Sequence, residues 1–216
     1  MQKILVWTLT ALLMSIVAFA ADDHPKAELF AGYNYTRVNS SSDIPAFSAN
    51  GGAGQVAVNF NRWIGFAGEI GSVHNGNIGG AHLDTTLTDF MFGPRISLRY
   101  SRFSPFFHVL MGGVHASTST QINVTIPPNS NQPIYIPGSP DFVPGNAVTL
   151  RAAASQTAFA WAPGGGIDIK LSKHVSFRPI ELDYYMMRLQ NLRSKQDNNQ
   201  HCLRYMAGFN FTFGAQ

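Results

Sequence analysis

The segment His-Cys-Leu-Arg-Tyr-Met-Ala-Gly-Phe-Asn-Phe-Thr-Phe, residues 201–213, decides the fold class of this chain. Successive side chains of a β-strand point to opposite faces. One face of this segment is therefore mostly large and apolar, with Leu203, Tyr205, Ala207, Phe209, Phe211 and Phe213. The other face carries Arg204, Met206, Gly208, Asn210 and Thr212. The pattern predicts a strand with one apolar side and one polar side.

The same two-residue alternation recurs in seven earlier segments. These lie at about 27–37, 52–60, 63–73, 86–99, 105–117, 156–171 and 174–188. Most are as long as the roughly 9–11 residues that a tilted strand needs to cross a bilayer. With residues 201–213 they predict eight membrane-spanning strands.

The connections between these segments alternate strictly between short and long. Residues 61–62, 100–104 and 172–173 form tight links, whereas 38–51, 74–85, 118–155 and 189–200 form long polar links. Transmembrane barrels have short periplasmic turns and longer external loops. The predicted fold class is therefore all-β, an eight-stranded antiparallel up-and-down transmembrane β-barrel.

Composition and the N-terminus agree with export to a membrane. Charged residues make up 12% of the chain, against about 25% in soluble domains, and no basic cluster indicates nucleic-acid binding. Lys3, an apolar run over 4–19 and Ala18-Phe19-Ala20 predict a signal peptide at residues 1–20. Residues 21–216 then form the barrel domain. A retained anchor is the alternative, although the run is shorter than the ~20 residues of a spanning helix.

A soluble barrel with its apolar face inward is the rival fold. Small residues share the polar face with the charges: Gly32, Ala57, Gly71, Gly93, Gly112, Gly164, Gly166 and Gly208. Because the interior of an eight-stranded barrel is only wide enough for side chains, this mixture favours a polar lumen and lipid-facing aromatic residues. The predicted interface anchors are Tyr33, Tyr35, Trp63, Trp161, Tyr184, Tyr185, Phe211 and Phe213.

Proline residues fall inside three predicted strands. Pro94, Pro163 and Pro179 cannot donate a hydrogen bond to a neighbouring strand. A closed barrel has no free edge to hold them, so we expect bulges or lost hydrogen bonds at these positions.

The candidate site is a set of charges on the polar faces. It comprises Glu28, Glu69, Arg95, Asp168, Lys170, Asp183 and Arg204, with Arg99 lower down. Unpaired charges are costly in a narrow interior, so these groups should form ion pairs that plug the lumen. The alternative is a narrow pore whose charged constriction selects small solutes.

Other candidate chemistry is weaker. His115-Ala-Ser117 has the His-x-Ser spacing of a lipid A-modifying barrel enzyme, but no acidic residue pairs with it convincingly. No helix follows Gly164-Gly165-Gly166, which excludes a phosphate-binding loop. The seven histidines lack metal-ligand spacing. We predict no catalytic residue, no cofactor and no metal.

Four further stretches carry a family resemblance. They are 28–35 (ELFAGYNY), 59–65 (NFNRWIG), 92–95 (FGPR) and 164–168 (GGGID). With the last strand, they resemble the eight-stranded outer-membrane barrel superfamily that includes OmpA- and OmpX-like proteins, and within it the "outer membrane protein beta-barrel domain" proteins. The resemblance implies an outer-membrane location, contact with lipid and lipopolysaccharide, folding by the barrel assembly machinery, and a structural or surface-interaction role.

The long link at 118–155 is the most individual part of the chain. It holds six of the twelve prolines, between Pro127 and Pro144. Its flanks at 121–126 and 147–151 alternate enough to continue the hairpin beyond the membrane. Loops longer than about 15 residues tend to be functional or disordered, so a surface ligand of this loop is a hypothesis and a passive loop is the alternative.

Overall fold

A computed structural model shows a closed barrel of eight antiparallel strands. The structure describes residues 24–40, 45–78, 83–125, 147–190 and 197–214. Within these ranges, no helix is long and apolar enough to span a membrane. The predicted signal peptide at 1–20 lies outside them.

Each strand pairs with its neighbours in the chain, and the last strand pairs with the first. The strands are β1 (Ala27–Val38), β2 (Phe47–Asn59), β3 (Ile64–Asn75), β4 (Leu83–Ser97), β5 (Phe103–Thr125), β6 (Ala147–Lys170), β7 (Val175–Gln190) and β8 (Asp197–Phe213). The predicted fold class is confirmed.

Strand β8 closes the barrel as its sequence pattern predicts. Its partners on β1 run from Ala27, opposite Phe213, to Val38, opposite Cys202. Phe209 is 48% exposed, whereas Arg204 is fully buried. The apolar face of the strand therefore points outward and the polar face points into the lumen.

The outer surface is a continuous apolar band. Large exposed apolar side chains come from all eight strands, for example Leu29, Val56, Phe66, Phe92, Phe107, Phe159, Leu182 and Phe211. In a soluble protein a surface of this kind would be a liability; on a barrel it is the face that meets lipid.

Two aromatic residues of β7 do not lie where the sequence analysis placed them. Tyr185, predicted as an interface anchor, is 2% exposed and lies inside the lumen. Phe177, which strict alternation over the predicted strand 174–188 places on the same face as Glu181, contacts Phe209 of β8, with ring centroids 5.5 Å apart. The β7–β8 register shifts by one residue between Arg178 and Glu181. This bulge explains Phe177, because one extra residue reverses the face of everything before it.

The three prolines disturb the ladder where expected. The bulge in β7 contains Pro179, whose carbonyl accepts a hydrogen bond from the Tyr205 hydroxyl at 2.8 Å. The β4–β5 pairing skips Pro94, and the β6–β7 pairing skips Pro163, without a change of register at either place. The prediction of bulges or lost ladder bonds is confirmed.

Several strands extend further outward than predicted. Strand β2 begins at Phe47 instead of 52, and β4 begins at Leu83 instead of 86. Residues 121–125 and 147–151 continue the β5–β6 hairpin, as their alternation predicted, and residues 118–120 and 152–155 also belong to these strands, so the link is shorter than the predicted 118–155. Outside the membrane a ladder needs no apolar face, so the alternation there indicates the ends of a strand less clearly than it does within the membrane. Residues 126–146, with the six prolines, lie outside the described ranges.

Candidate functional site in the barrel lumen

Inward-facing positions of the strands bring nine charged side chains of the chain into the lumen. Six carboxylates are buried there, Glu28, Glu69, Asp89, Asp168, Glu181 and Asp183. Three arginines, Arg95, Arg178 and Arg204, are at most 2% exposed. We call this set the lumen network; it forms a lower layer near the short turns, a deep layer further in, and a link between the two layers.

The lower layer joins β1, β4 and β6. The Arg95 guanidinium donates to Asp168 at 3.2 Å and lies 3.1 Å from Glu28. Arg99 approaches the same Glu28 carboxylate to 2.6 Å. Asn59 and Asn210 also donate to Glu28, at 2.9 and 3.1 Å. Every partner of Glu28 comes from a different strand or turn, so the layer ties the barrel wall together.

Arg178 links the two layers. It donates to both oxygens of Asp168, at 2.6 and 3.1 Å, and to Glu181 at 2.6 Å. Its guanidinium carbon lies 4.3 Å from the ring centroids of both Phe30 and Phe106. Planar guanidinium groups suit such bidentate and stacked contacts. Arg178 therefore fills the cross-section of the lumen between β1, β5 and β6.

The deep layer surrounds Arg204. Its guanidinium lies 2.5 Å from Glu69, 2.8 Å from Asp183 and 3.3 Å from Asp89. The ring of Tyr185 lies 5.2 Å from the guanidinium carbon. Three carboxylates from three strands thus meet one cation, and charges removed from water in this way require close pairing.

His108 completes the deep layer on the side of β5. Its Nε2 atom lies 3.0 Å from Asp183 and 3.7 Å from Glu181. All three side chains are buried. Spacing along the chain predicted no metal site, yet barrel closure brings a histidine and two carboxylates together from β5 and β7.

The structure places six of the seven predicted site residues in the lumen network: Glu28, Glu69, Arg95, Asp168, Asp183 and Arg204. Lys170 is exposed at the rim and does not belong to the buried set. Lys170 is the last residue of β6, so its side chain, although on the same face as Asp168, lies at the rim of the vestibule.

Sequence reasoning missed four members of the network: Asp89, His108, Arg178 and Glu181. Three of them lie on the polar faces of predicted strands, so the alternation could have identified them. Arg178 could not be found that way, because the Pro179 bulge places it out of phase with the rest of β7.

A vestibule of about 310 Å³ opens below the lower layer. Its rim carries Arg62, Lys170 and Lys173, and its inner wall includes Glu28, Arg95 and Asp168. No member of the deep layer lines it. Solvent that enters from the short-turn end therefore reaches the lower layer and not the deep layer.

The candidate His-x-Ser pair lies on the outer surface. His115 and Ser117 are both exposed. The His115 Nδ1 atom lies 3.0 Å from the Thr157 hydroxyl of β6. A serine nucleophile needs a base within hydrogen-bond reach and an acid that orients the base, and the described geometry instead pairs His115 with a threonine.

Comparison with known proteins places this geometry in context. A family model described as "Outer membrane protein beta-barrel domain" matches residues 7–216. Comparison with curated protein sequences found no significant match.

Solved structures share the fold at low sequence identity. The attachment invasion locus protein Ail of Yersinia pestis is 14% identical, with a TM-score of 0.55 over 88% of this chain and 99% of Ail. Ail in complex with the heparin analogue sucrose octasulfate is also similar, at 16% identity and a TM-score of 0.51 over 87% of this chain and 97% of that chain. Neisserial surface protein A is 13% identical, with a TM-score of 0.58 over 87% of this chain and 97% of that protein.

Proposed function

Because the chain belongs to the family of outer membrane protein beta-barrel domains, it lies in the outer membrane, and we propose that it acts there as a closed anchor that presents its β5–β6 hairpin to a surface ligand. The proposal has two parts, a lumen that does not conduct solutes and an external hairpin that binds. Neither part involves catalysis.

The contacts of Arg178 carry the first part of the proposal. This one side chain contacts Phe30, Phe106, Asp168 and Glu181 across the lumen. The Arg95 and Arg204 side chains fill the levels below and above it. A solute would have to displace buried ion pairs at three successive levels, which favours a plug over the alternative of a selective pore.

A closed lumen should not conduct ions. Purified protein in planar bilayers should give no stable single-channel steps, because a permeating ion would have to break the ion pairs of the network. Arg178→Ala removes the central side chain and should produce steps, whereas Lys173→Ala at the vestibule rim should leave the bilayer silent. A general porin in the same chamber serves as the positive control. Stable unitary steps from the unmodified protein would contradict the plug and favour the narrow pore.

The length of the β5–β6 hairpin supports the second part of the proposal. Among the described residues, the outermost β4–β5 pair is Leu83 with Thr120, and β5 continues from there to Thr125 paired with β6 alone. At about 3.3 Å per residue these five residues extend about 17 Å beyond the wall of β4. On the other side, β6 pairs with β7 only from Ala160, opposite Met187, inward. Residues 147–159 of β6 therefore have β5 as their only ladder partner among the described strands.

The charge at this end of the barrel favours an anionic glycan as the ligand. Arg37, Arg151 and Arg188 are exposed near the outer ends of β1, β6 and β7. Asp84 is an exposed carboxylate at the same end, 4.0 Å from His74. Exposed positive charge at one end of the barrel attracts polyanions. Ail, which shares this fold, has been solved with a heparin analogue, so heparin is a reasonable probe.

Arg151 offers the direct test of this ligand class. Arg151→Gln should weaken retention of the purified barrel on immobilised heparin, and the loss should shrink as salt screens the charge. Lys173→Gln removes a charge at the opposite end and is the matched control. Deleting 127–144, which leaves the described β5–β6 ladder intact, tests the loop itself. Equal retention of all four proteins would contradict a ligand role for the hairpin.

A further inference from the structure

We propose that the deep layer binds one divalent metal ion of the zinc class, ligated by His108, Glu181 and Asp183. These side chains belong to β5 and β7 and meet only after the barrel closes. The site uses only residues of the deep layer, so it does not depend on whether the lumen conducts solutes.

The geometry of the three groups matches a first-row metal site. The His108 Nε2 atom lies 3.0 Å from an oxygen of Asp183 and 3.7 Å from an oxygen of Glu181. One ligand atom from each residue lies within 4.8 Å of the other two. Tetrahedral zinc bonds of about 2.0–2.1 Å place ligand atoms about 3.3 Å apart. The two separations measured from His108 Nε2, 3.0 and 3.7 Å, therefore lie on either side of the required value.

One carboxylate oxygen of each acidic residue is already held, and the other faces His108. Arg178 binds Oε2 of Glu181 at 2.6 Å, and Arg204 binds Oδ2 of Asp183 at 2.8 Å. Oε1 of Glu181 is fully buried and accepts no hydrogen bond. Hydrogen-bonded outer partners that orient ligating carboxylates are a regular feature of metal sites. The arginines thus hold both carboxylates with one oxygen aimed at the imidazole.

The deep layer contains more carboxylates than guanidinium groups. Its four carboxylates are Glu69, Asp89, Glu181 and Asp183, and the guanidinium groups that contact them belong to Arg178 and Arg204. With all four carboxylates ionised, two negative charges are left over in a buried volume, where uncompensated charge is expensive. The lower layer is balanced, since Glu28 and Asp168 face Arg95 and Arg99. One divalent ion at His108 would neutralise the excess.

The donor set selects the class of ion. One imidazole nitrogen with two carboxylate oxygens suits zinc and neighbouring transition metals. Calcium takes six to eight oxygen ligands, more than these residues supply. Because the lower layer lies between the site and the vestibule, the ion would enter as the barrel folds and would exchange slowly afterwards.

The test is a metal count on protein purified from outer membranes. Cells grown with added Zn²⁺ should yield full-length barrel that retains about one ion per chain after a chelator wash. His108→Gln should retain at least about tenfold less. His115→Gln removes an exposed histidine of the same strand and is the matched control, expected to retain as much as the unmodified protein. Ca²⁺ should not replace Zn²⁺.

Folding of each variant is checked by heat-dependent migration on gels, and Glu181→Gln replaces His108→Gln if the latter does not fold. Co²⁺ incorporated in place of Zn²⁺ gives an absorption spectrum that reports its ligand geometry in the unmodified protein. Folded, unmodified barrel without bound metal would overturn the proposal and would mean that protons neutralise the deep layer. Equal retention by His108→Gln and the unmodified protein would also overturn it.

Discussion

Replacing Arg178 by methionine is expected to lower the free energy of unfolding of the barrel by about 3–5 kcal/mol, the range for removing one partner of a buried ion pair. Methionine keeps an apolar stem between Phe30 and Phe106, so packing is largely retained. The carboxylates of Asp168 and Glu181 lose their closest hydrogen-bond donor, since Arg178 donates to each at 2.6 Å. The measurement is denaturant unfolding of the barrel in lipid vesicles.

Two comparisons separate this effect from a general sensitivity of β7. Arg188→Met, at an exposed position of the same strand, should change stability by no more than about 0.5 kcal/mol. Adding Asp168→Asn and Glu181→Gln to Arg178→Met removes the uncompensated charges and should restore much of the loss. If the single variant were as stable as the unmodified protein, the lumen network would not hold the barrel together.

Replacing Gly93 by alanine is expected to destabilise the barrel by about 1–3 kcal/mol or more, the cost of overpacking. A Cβ atom at this position would lie 1.9 Å from the carbonyl oxygen of Val109 and 3.2 Å from the Cα atom of Leu110. The obstacle is backbone of the adjacent strand, so no side chain can rotate away. Gly93 precedes Pro94, where the β4–β5 pairing is interrupted and the two strands approach closely.

Gly68 provides the matched control for Gly93. A Cβ atom there would meet nothing within 4 Å, so Gly68→Ala should leave stability within about 0.5 kcal/mol of the unmodified protein. The measurement is the folded fraction in isolated outer membranes together with the midpoint of denaturant unfolding. Equal behaviour of the two variants would show that β4 and β5 do not approach as closely at Gly93 as the structure indicates.

Most of the fold could be predicted because each strand must present one face to lipid and one to a polar lumen. That requirement acts on every second residue, so it is visible in a single sequence. It indicated eight strands, the outward direction of Phe209 and Phe211, and the inward direction of Glu28, Glu69 and Arg204. It missed the outer ends of β2 and β4, which begin at Phe47 and Leu83, because no lipid imposes the alternation there.

The candidate site was predictable only in part. Charges on the inward faces could be identified, but their partners could not, since a pair such as Arg95 and Asp168 is separated by 73 residues in the chain. The inward direction of Arg178 could not be predicted, because the bulge at Pro179 moves the residues at the start of β7 to the opposite face from the one that alternation gives them.

The sequence by itself determined the strand number, the membrane-facing surface and the polar character of the lumen, because these follow from a local period of two residues. Only the tertiary structure decided which charges meet. Closing β1 onto β8 sets the register of every strand, and register selects the level at which each inward side chain lies. The register places Arg204 of the segment 201–213 beside Glu69, Asp89 and Asp183. It also brings His108, Glu181 and Asp183 within ligand distance of one another.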